Sequence, residues 1–269
     1  MTIKAPQRLL LTGAAGGLGT VLRDRLKANC DILRLSDRQD LGAASPGEEI
    51  MLADLADASA VDAMVAGVEA IVHMGGVSVE GPFGPILQAN ILGLYNLYEA
   101  ARQHGVKRIV FASSNHVTGF YRQDETITVD HPPRPDGMYG LSKAFGENLS
   151  RLYFDRYGIE TACIRIGSSF VEPKDRRMLA TWLSFDDLHR LITACLSTPV
   201  LGHSIVFGMS DNAVTWWDNS RARHIGYVPR DTSDIFRDAV YARTPSPDPK
   251  DPVARFQGGG FVVAGPFGY

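Results

Sequence analysis

Residues 8–19 read RLLLTGAAGGLG, and this stretch decides the fold of the chain. Its first five residues, Arg8–Thr12, are mostly apolar and predict a buried strand, and a helical pattern begins where the stretch ends. Between the two, Gly13, Gly16 and Gly19 follow a Gly-x-x-Gly-x-x-Gly spacing. Glycines at such a junction let the chain turn tightly and let backbone amides at the start of the helix approach an anion. The stretch therefore predicts the first strand–turn–helix unit of an α/β sheet, with an anion-binding turn.

The alternation of short apolar runs and helical patterns continues as far as Ile166. Because these strands are apolar throughout and are spaced by helices, they predict a parallel sheet covered on both faces, a Rossmann-type doubly wound α/β fold. We expect a core over residues 1–166 and, over residues 167–269, a small substrate-binding cap with a C-terminal tail, interwoven with the core rather than independent. Further strands are expected at residues 32–35, 49–52, 70–73, 109–112 and 161–166, and a long helix at 86–104.

The composition excludes several classes of protein. A net charge of −3 over 269 residues gives no electrostatic reason to expect nucleic acid or an anionic membrane as a partner. No apolar run approaches the roughly 18 residues that a membrane span needs, and no signal-peptide pattern opens the chain. Cys30, Cys163 and Cys195 are odd in number and far apart, which indicates free thiols in a reducing compartment, so we expect the cytoplasm. The histidines are scattered without a ligand motif, and no metal site is expected.

Side chains that follow the next strands indicate what the glycine turn binds. Asp37 ends the second strand about 20 residues past the glycines, where a carboxylate accepts hydrogen bonds from the ribose hydroxyls of a dinucleotide. The same charge repels a 2′-phosphate and favours NAD over NADP, although Arg38 beside it leaves NADP open. The corresponding positions after the third and fourth strands are Asp54, Leu55, His73, Met74 and Gly75.

A tyrosine and a lysine indicate the chemistry. Tyr139 and Lys143 are four residues apart in a helical pattern, so the phenol and the ammonium project from the same face. A nearby ammonium favours the phenolate and is expected to lower the pKa of the tyrosine, which makes Tyr139 a candidate general base for an alcohol. Ser114 ends the fifth strand, at the edge of the sheet where doubly wound folds bind ligands. These three residues are the predicted catalytic group.

The glycine turn, Asp37 and the Tyr139/Lys143 pair resemble the extended short-chain dehydrogenase/reductase superfamily, whose members include NAD-dependent epimerases and dehydratases. Longer motifs resemble the bacterial uronate dehydrogenase family more specifically, and the resemblance covers nearly the whole chain. These motifs are NILGLYNLYEA (90–100), FASSNH (111–116), RPDGMYGLSK (134–143), RIGS (165–168) and RFQGGGF (255–261).

The resemblance implies an oxidoreductase that uses NAD to oxidise the anomeric carbon of a hexuronic acid, D-glucuronate or D-galacturonate, to the aldarolactone. It implies that Tyr139 removes the proton of the C1 hydroxyl, that Lys143 holds the nicotinamide ribose, and that Ser114 hydrogen-bonds the reacting oxygen. The implied cofactor positions are Gly13, Gly16, Gly17, Leu18, Gly19, Asp37, Asp54, Leu55, His73, Met74, Gly75, Asn90, Tyr139, Lys143 and Ile166. The implied sugar positions are Ser78, Ser114, Asn115, His116, Tyr139, Ser168, Arg177 and Phe261.

The carboxylate of a uronate calls for a cation, and a guanidinium is best shaped to hold it. Arg177 lies in the polar segment past the sixth strand, over the expected site, but Arg176 and Lys174 are its neighbours. The residues alone do not choose among the three. His116 likewise suits either a sugar contact or a structural role.

Two other functions fit parts of the pattern. A sugar-nucleotide epimerase or dehydratase keeps its NAD bound, and the short segment after Ile166 counts against a sugar-nucleotide site. A non-catalytic NAD-sensing regulator is the second alternative, and the presence of Tyr139, Lys143 and Ser114 argues against it. A homo-oligomer is expected, because the helices at 86–104 and 139–157 carry apolar faces that can pair between subunits. Neither the preferred uronate nor the ring size of the lactone follows from the sequence.

Overall fold

Seven parallel strands form the central sheet of the computed structural model, which describes residues 4–267. Their spatial order is β3-β2-β1-β4-β5-β7-β8, so the direction of winding reverses between β1 and β4. The strands are β1 (Arg8–Thr12), β2 (Ile32–Ser36), β3 (Glu48–Ile50), β4 (Ala70–His73), β5 (Arg108–Ser114), β7 (Glu160–Ile166) and β8 (His203–Gly208). Two short strands, β6 (Ile127–Thr128) and β9 (Trp217–Asp218), pair in a separate parallel sheet.

Helices connect the strands and cover both faces of the sheet, which is the predicted doubly wound arrangement. The α-helices within residues 4–267 are α1 (Gly17–Arg25), α2 (Ala58–Val65), α3 (Phe83–Ile86), α4 (Gly93–Gln103), α5 (Met138–Tyr157), α6 (Met178–Thr181), α7 (Phe185–Ser197), α8 (Arg237–Arg243) and α9 (Pro252–Arg255). Short 3-10 segments span Leu26–Asn29, Asn115–Thr118, Ser220–Ile225, Ser233–Phe236 and Gly259–Val263, and a π segment spans Leu87–Leu92.

The core has two main halves, one on each face of the sheet. Leu9 and Leu11 of β1 point into the half that α1 and α7 cover, whereas Leu10 points into the half that α2, α4 and α5 cover. Successive side chains of a strand alternate between its faces, so a strand that is apolar at every position must be covered twice. All three leucines are fully buried, and each contributes about 1.5–3 kcal/mol relative to an exposed position.

The structure differs from the sequence prediction in three elements. The helix expected at 86–104 is divided into α3, the π segment Leu87–Leu92 and α4. The wider turn of that π segment accompanies an inward-facing Asn90, whose amide bonds the backbone of Val77. The strand expected at 49–52 is Glu48–Ile50. The sheet also extends past residue 166, because β8 pairs with β7 and thereby weaves the C-terminal part into the core. Residues 1–3 and 268–269, which end the two predicted segments, lie outside the described residues.

Within the part of the chain that the structure describes, every helix is either too short or too polar to cross a lipid bilayer.

Candidate active site

One large cleft lies at the carboxyl ends of the sheet strands and has a volume of about 1660 Å³. Its position, beside the reversal between β1 and β4, is where doubly wound sheets bind ligands. Nearly all residues predicted for the site line this cleft: Gly13, Gly16, Gly17, Leu18, Gly19, Asp37, Asp54, Leu55, Met74, Gly75, Ser78, Ser114, Asn115, His116, Tyr139, Lys143, Ile166, Ser168, Arg177 and Phe261. His73 and Asn90 do not line it.

The glycine turn is built so that only glycine fits at two of its positions. Gly13 has a φ of 70°, and a Cβ there would lie 2.6 Å from the amide nitrogen of Gly75. A Cβ on Gly19 would lie 2.0 Å from the carbonyl oxygen of Gly13. The turns after β1 and β4 therefore approach each other backbone to backbone, and α1 begins directly above them. This bare backbone at a helix N-terminus fits the pyrophosphate of a dinucleotide.

Asp37 directly follows β2 and lies at the rim of this turn. One carboxylate oxygen, Oδ2, accepts a hydrogen bond from the amide of Ala15 at 3.1 Å, and the other accepts one from the amide of Gln39 at 3.1 Å. Asp37 thus joins the glycine turn to the loop after β2 and faces the cleft. Its position and negative charge fit the adenosine ribose of NAD, which lacks the 2′-phosphate that the carboxylate would repel.

His73 and Asn90 lie beneath the cleft and shape it. His73 hydrogen-bonds Thr12 of β1, with 2.7 Å between Nδ1 and Oγ1, and burial lowers its pKa to about 3, so its ring is neutral. The Asn90 amide bonds both backbone groups of Val77 and donates to the hydroxyl of Ser142 at 2.9 Å. Asn90 therefore holds the backbone of the loop after β4, whereas His73 joins the ends of β1 and β4, and both act on the cleft indirectly.

Tyr139, Lys143 and Ser114 meet at the centre of the cleft, each less than a tenth exposed. The Lys143 ammonium donates to the carbonyl of Ala112 at 2.8 Å and lies 5.7 Å from the centroid of the Tyr139 ring. Burial raises the pKa of Tyr139 to about 12, although its hydrogen bond with Ser114 opposes that rise. Burial also lowers the pKa of Lys143 to about 8. The two groups share a helix face as predicted, but desolvation outweighs the lowering of the tyrosine pKa that we expected from the lysine.

The helix that carries this pair has its N-terminus capped by a residue from another loop. Gly137 precedes α5 and offers no side chain for capping. The carboxylate of Glu80 instead accepts hydrogen bonds from the amides of Met138 at 3.0 Å and Tyr139 at 2.9 Å. A Cβ on Gly137 would lie 2.1 Å from Glu80 Oε2, so glycine is what lets the carboxylate approach. Glu80 thereby ties the loop that contains Ser78 to the first turn of the helix.

The far end of the cleft carries the polar groups predicted for a sugar. The His116 ring stacks on Phe261, with 3.8 Å between centroids, and its Nδ1 lies 2.7 Å from Oδ2 of Asp136. With its amide oriented so that the nitrogen donates to the carbonyl of Ile166, Asn115 accepts a hydrogen bond from Nη2 of Arg177 at 3.0 Å. Ser168 lies nearby and shares a hydrogen bond with Thr181.

The structure distinguishes the three neighbouring cations. Arg176 donates to the carbonyl of Thr244 at 2.9 Å and lies over the ring of Tyr241. The Lys174 ammonium lies 4.1 Å from the centroid of the Phe170 ring, outside the cleft lining. Arg177 reaches into the cleft, forms no ion pair among residues 4–267, and burial lowers its pKa. Of the two arginines that line the cleft, Arg177 is the one whose guanidinium lies against Asn115.

Three residues of the site were missed by reasoning from the sequence: Glu80, Asp136 and Gln257. Asp136 lies inside the motif RPDGMYGLSK and Gln257 inside RFQGGGF, so membership of these motifs was the feature of the sequence that could have pointed to them. Glu80 carried no signal, because it caps a helix that begins 58 residues later.

Comparisons with known proteins place the chain among relatives of known activity. The model of the NAD-dependent epimerase/dehydratase family matches residues 9–185. Uronate dehydrogenase from Pseudomonas putida is 59% identical over 268 residues, which cover 99% of this chain and 100% of that protein.

Solved structures agree with this match. The crystal structure of uronate dehydrogenase from Agrobacterium tumefaciens superposes with a TM-score of 0.95 at 57% identity, covering 97% of this chain and 98% of that one. A tyrosine-to-alanine mutant of the Agrobacterium enzyme in complex with NAD superposes equally well, with a TM-score of 0.95 at 56% identity and the same coverage.

Proposed function

This chain belongs to the NAD-dependent epimerase/dehydratase family, and from that premise we propose that it is an NAD-dependent dehydrogenase that oxidises uronic acids at the anomeric carbon. The product is the aldarolactone, formed when the C1 hydroxyl loses a proton and C1 loses a hydride. The observation that carries the proposal is that the glycine turn, the Tyr139/Lys143 pair and Arg177, which forms no ion pair within residues 4–267, line the same cleft.

NAD, when bound, would accept the hydride, and its oxidised nicotinamide would add a positive charge to the site. The glycine turn, Asp37 and Asp54 would hold its adenosine and pyrophosphate, and Lys143 its nicotinamide ribose. Positive charge beside a phenol favours the phenolate, which counters the rise in pKa that burial causes at Tyr139.

Tyr139 is the group that removes the proton from the C1 hydroxyl. It is buried beside Ser114, and we assign to the Ser114 hydroxyl a contact with the reacting oxygen. The Lys143 ammonium, anchored to the carbonyl of Ala112, supplies positive charge on the same face of α5. Exclusion of water strengthens each of these electrostatic interactions.

Arg177 is the group that selects a sugar acid. The Arg177 guanidinium is partly shielded from solvent and has no carboxylate partner within residues 4–267, so a substrate carboxylate would supply charge-assisted hydrogen bonds that it otherwise lacks. Asn115 and His116 lie beside it and can bind sugar hydroxyls. We assign the sugar contacts of the cap region, residues 167–269, to Ser168, Arg177 and Phe261.

A screen of NADH absorbance tests the function. The purified protein is offered D-glucuronate, D-galacturonate and the matching neutral sugars, each with NAD and with NADP. We expect NADH formation with the uronates and much slower turnover of the neutral sugars. Absence of any net NADH with uronates would indicate an epimerase or dehydratase that retains its cofactor, or a protein without turnover, and would refute the proposal.

A homodimer through the α4/α5 face is the second part of the proposal. Leu92 and Tyr95 on one side and Leu141 and Phe145 on the other are more than a third exposed, and Phe145 helps to line an apolar groove. A second copy of the same face is the occupant that buries both helices symmetrically. Sedimentation of Phe145→Glu against the unmodified protein tests the dimer.

We place the enzyme in the cytoplasm, which the three free cysteines Cys30, Cys163 and Cys195 support.

A further inference from the structure

Apart from Phe261, the motif RFQGGGF (255–261) has no role in the chemistry described so far. Its middle residues, Gln257–Gly259, are buried against the far end of the cleft and are named here the tail anchor. Gln257 is fully buried, at 0% exposure. A buried glutamine must find partners for both amide hydrogens and for its oxygen, so its contacts show what it holds together.

The side chain of Gln257 is fully bonded. Its nitrogen donates to the carbonyls of Arg122 and Glu125, each at 2.9 Å, and its oxygen accepts from the indole of Trp217 at 3.0 Å. Its backbone amide donates to the carbonyl of Tyr121 at 2.8 Å. The backbone of the tail is therefore held at one defined point against the loop 121–125 and the strand that contains Trp217.

That point of backbone holds the guanidinium of Arg177. The carbonyl of Gln257 accepts a hydrogen bond from Nε of Arg177 at 2.6 Å, and Asn115 can bind Nη2 from the other side. With Nε occupied, the edge formed by Nη1 and Nη2 is the one left for a carboxylate. Gly259 makes room for this arrangement, because its φ is 61° and a Cβ there would lie 2.6 Å from Cδ of Arg177.

The tail anchor also borders the second polar group of the cleft. A Cβ on Gly258 would lie 1.9 Å from Oδ2 of Asp136, the oxygen that binds Nδ1 of His116. Phe261, two residues beyond the anchor, stacks on the ring of the same histidine, with the two rings 14° from parallel. The tail thus packs directly against both groups that face the sugar.

We infer that Gln257 is a positioning residue for the carboxylate of the substrate: its amide fixes the tail anchor, whose carbonyl directs the Nη1–Nη2 edge of Arg177 toward the anion. The inference rests on the proposed function, since it concerns the carboxylate end of that substrate. It assigns to the C-terminal motif the selection of sugar acids, separate from proton removal at Tyr139.

Gln257→Met tests the inference, because methionine keeps the length of the side chain and removes the amide. We expect the KM for D-galacturonate to rise about tenfold, equivalent to about 1.4 kcal/mol, while kcat and the KM for NAD change less than about twofold. Gly259→Ala should give the same selective rise, because its Cβ would displace Arg177. Gly260→Ala is the matched control: it is exposed, and its Cβ would meet no atom within 4 Å.

A double variant separates positioning from general stability. If Gln257 acts through Arg177, then Gln257→Met combined with Arg177→Ala should lose no more kcat/KM for D-galacturonate than Arg177→Ala alone. Losses that multiply, or a KM for NAD that rises in parallel, would overturn the inference. If Gln257→Met does not fold, as judged by circular dichroism, Gly259→Ala against Gly260→Ala decides the same question. Inactivity of the unmodified enzyme toward uronates would instead refute the function itself.

Discussion

Tyr139 and Lys143 are two buried ionisable residues on one turn of helix, and burial acts on them in opposite directions. It raises the pKa of the phenol to about 12 and lowers that of the ammonium to about 8, because burial disfavours the charged form of each group. The site therefore holds this pair in surroundings that disfavour the phenolate and the ammonium on which the proposed chemistry depends. Such opposition between stability and activity is common at functional sites.

Replacing Tyr139 by phenylalanine removes only the hydroxyl of the proposed base. Because the ring stays and only the hydroxyl is lost, we expect oxidation of uronates to fall by at least about 100-fold while the affinity for NAD survives. Turnover is measured by NADH absorbance, and NAD affinity by calorimetry. Near-normal turnover in Tyr139→Phe would remove this residue from the base role.

Replacing Lys143 by methionine should abolish activity and raise the thermal stability. Below the folded-state pKa of about 8 the lysine is charged in both states, so the cost of burying the charge is fully present. As the pH rises from about 8 toward 10.5, the folded state loses the proton first and that cost declines.

The expected gain in Tm for Lys143→Met is about a few degrees near pH 7, and it should shrink as the pH approaches 10. Thermal melts of the two proteins across this pH range measure it. A constant difference in Tm at every pH, or a lower Tm near pH 7, would contradict the assignment of the cost to the buried ammonium.

At the scale of elements, helix α5 depends on a cap that its own sequence does not provide. Gly137 lacks a capping side chain, and Glu80 takes that place from the loop after β4. A carboxylate at a helix N-terminus satisfies unpaired amides and interacts favourably with the helix dipole. The first turn of α5 includes Tyr139, so the cap bears on the position of the base as well as on the helix.

Glu80→Ala should therefore lower both stability and kcat. Loss of a cap of this kind costs about 0.5–2 kcal/mol, which corresponds to a drop in Tm of about 2–4 °C per kcal/mol for a protein of this size class. Glu172→Ala is the control, because Glu172 forms an exposed ion pair with Arg243 and its loss should cost almost nothing. Equal effects of the two variants on Tm and kcat would show that Glu80 is not a cap.

At the scale of the whole molecule, a buried ion pair joins the helix of the active site to the sheet. Glu147 of α5 binds Arg165 of β7 through both carboxylate oxygens, at 2.9 and 2.8 Å, and accepts from Ser113 of β5 at 2.7 Å. Both charged side chains are at most 5% exposed. The pair lies one helical turn beyond Lys143 and thus sets α5 against β5 and β7.

Glu147→Ala should destabilise the fold by about 3–5 kcal/mol, because it leaves the Arg165 charge buried without a partner. Asp155→Ala, which breaks the exposed pair between Arg151 and Asp155, should cost less than about 1 kcal/mol. Urea unfolding of both variants measures the free energies. Similar losses would mean that the buried pair adds nothing specific to the fold.

The sequence by itself determined those features that depend on neighbouring residues. Apolar runs predicted β1 and β4 at their observed bounds, and the glycine spacing predicted a turn whose positions Gly13 and Gly19 admit no Cβ. Helical periodicity placed Tyr139 and Lys143 on one face. Each of these features follows from short-range steric constraints or from the regular spacing of buried residues. Both can be recognised in a few consecutive residues of the sequence.

Only the tertiary structure decided which distant groups meet. It brought Arg177 against Asn115 in the cleft, turned His73 and Asn90 beneath the cleft, and replaced the expected lowering of the tyrosine pKa by a rise. The bond between Arg177 and Gln257 spans 80 residues, and that between Glu80 and Tyr139 spans 59. Such contacts and the desolvation around them arise from packing of the whole chain, and no local pattern encodes them.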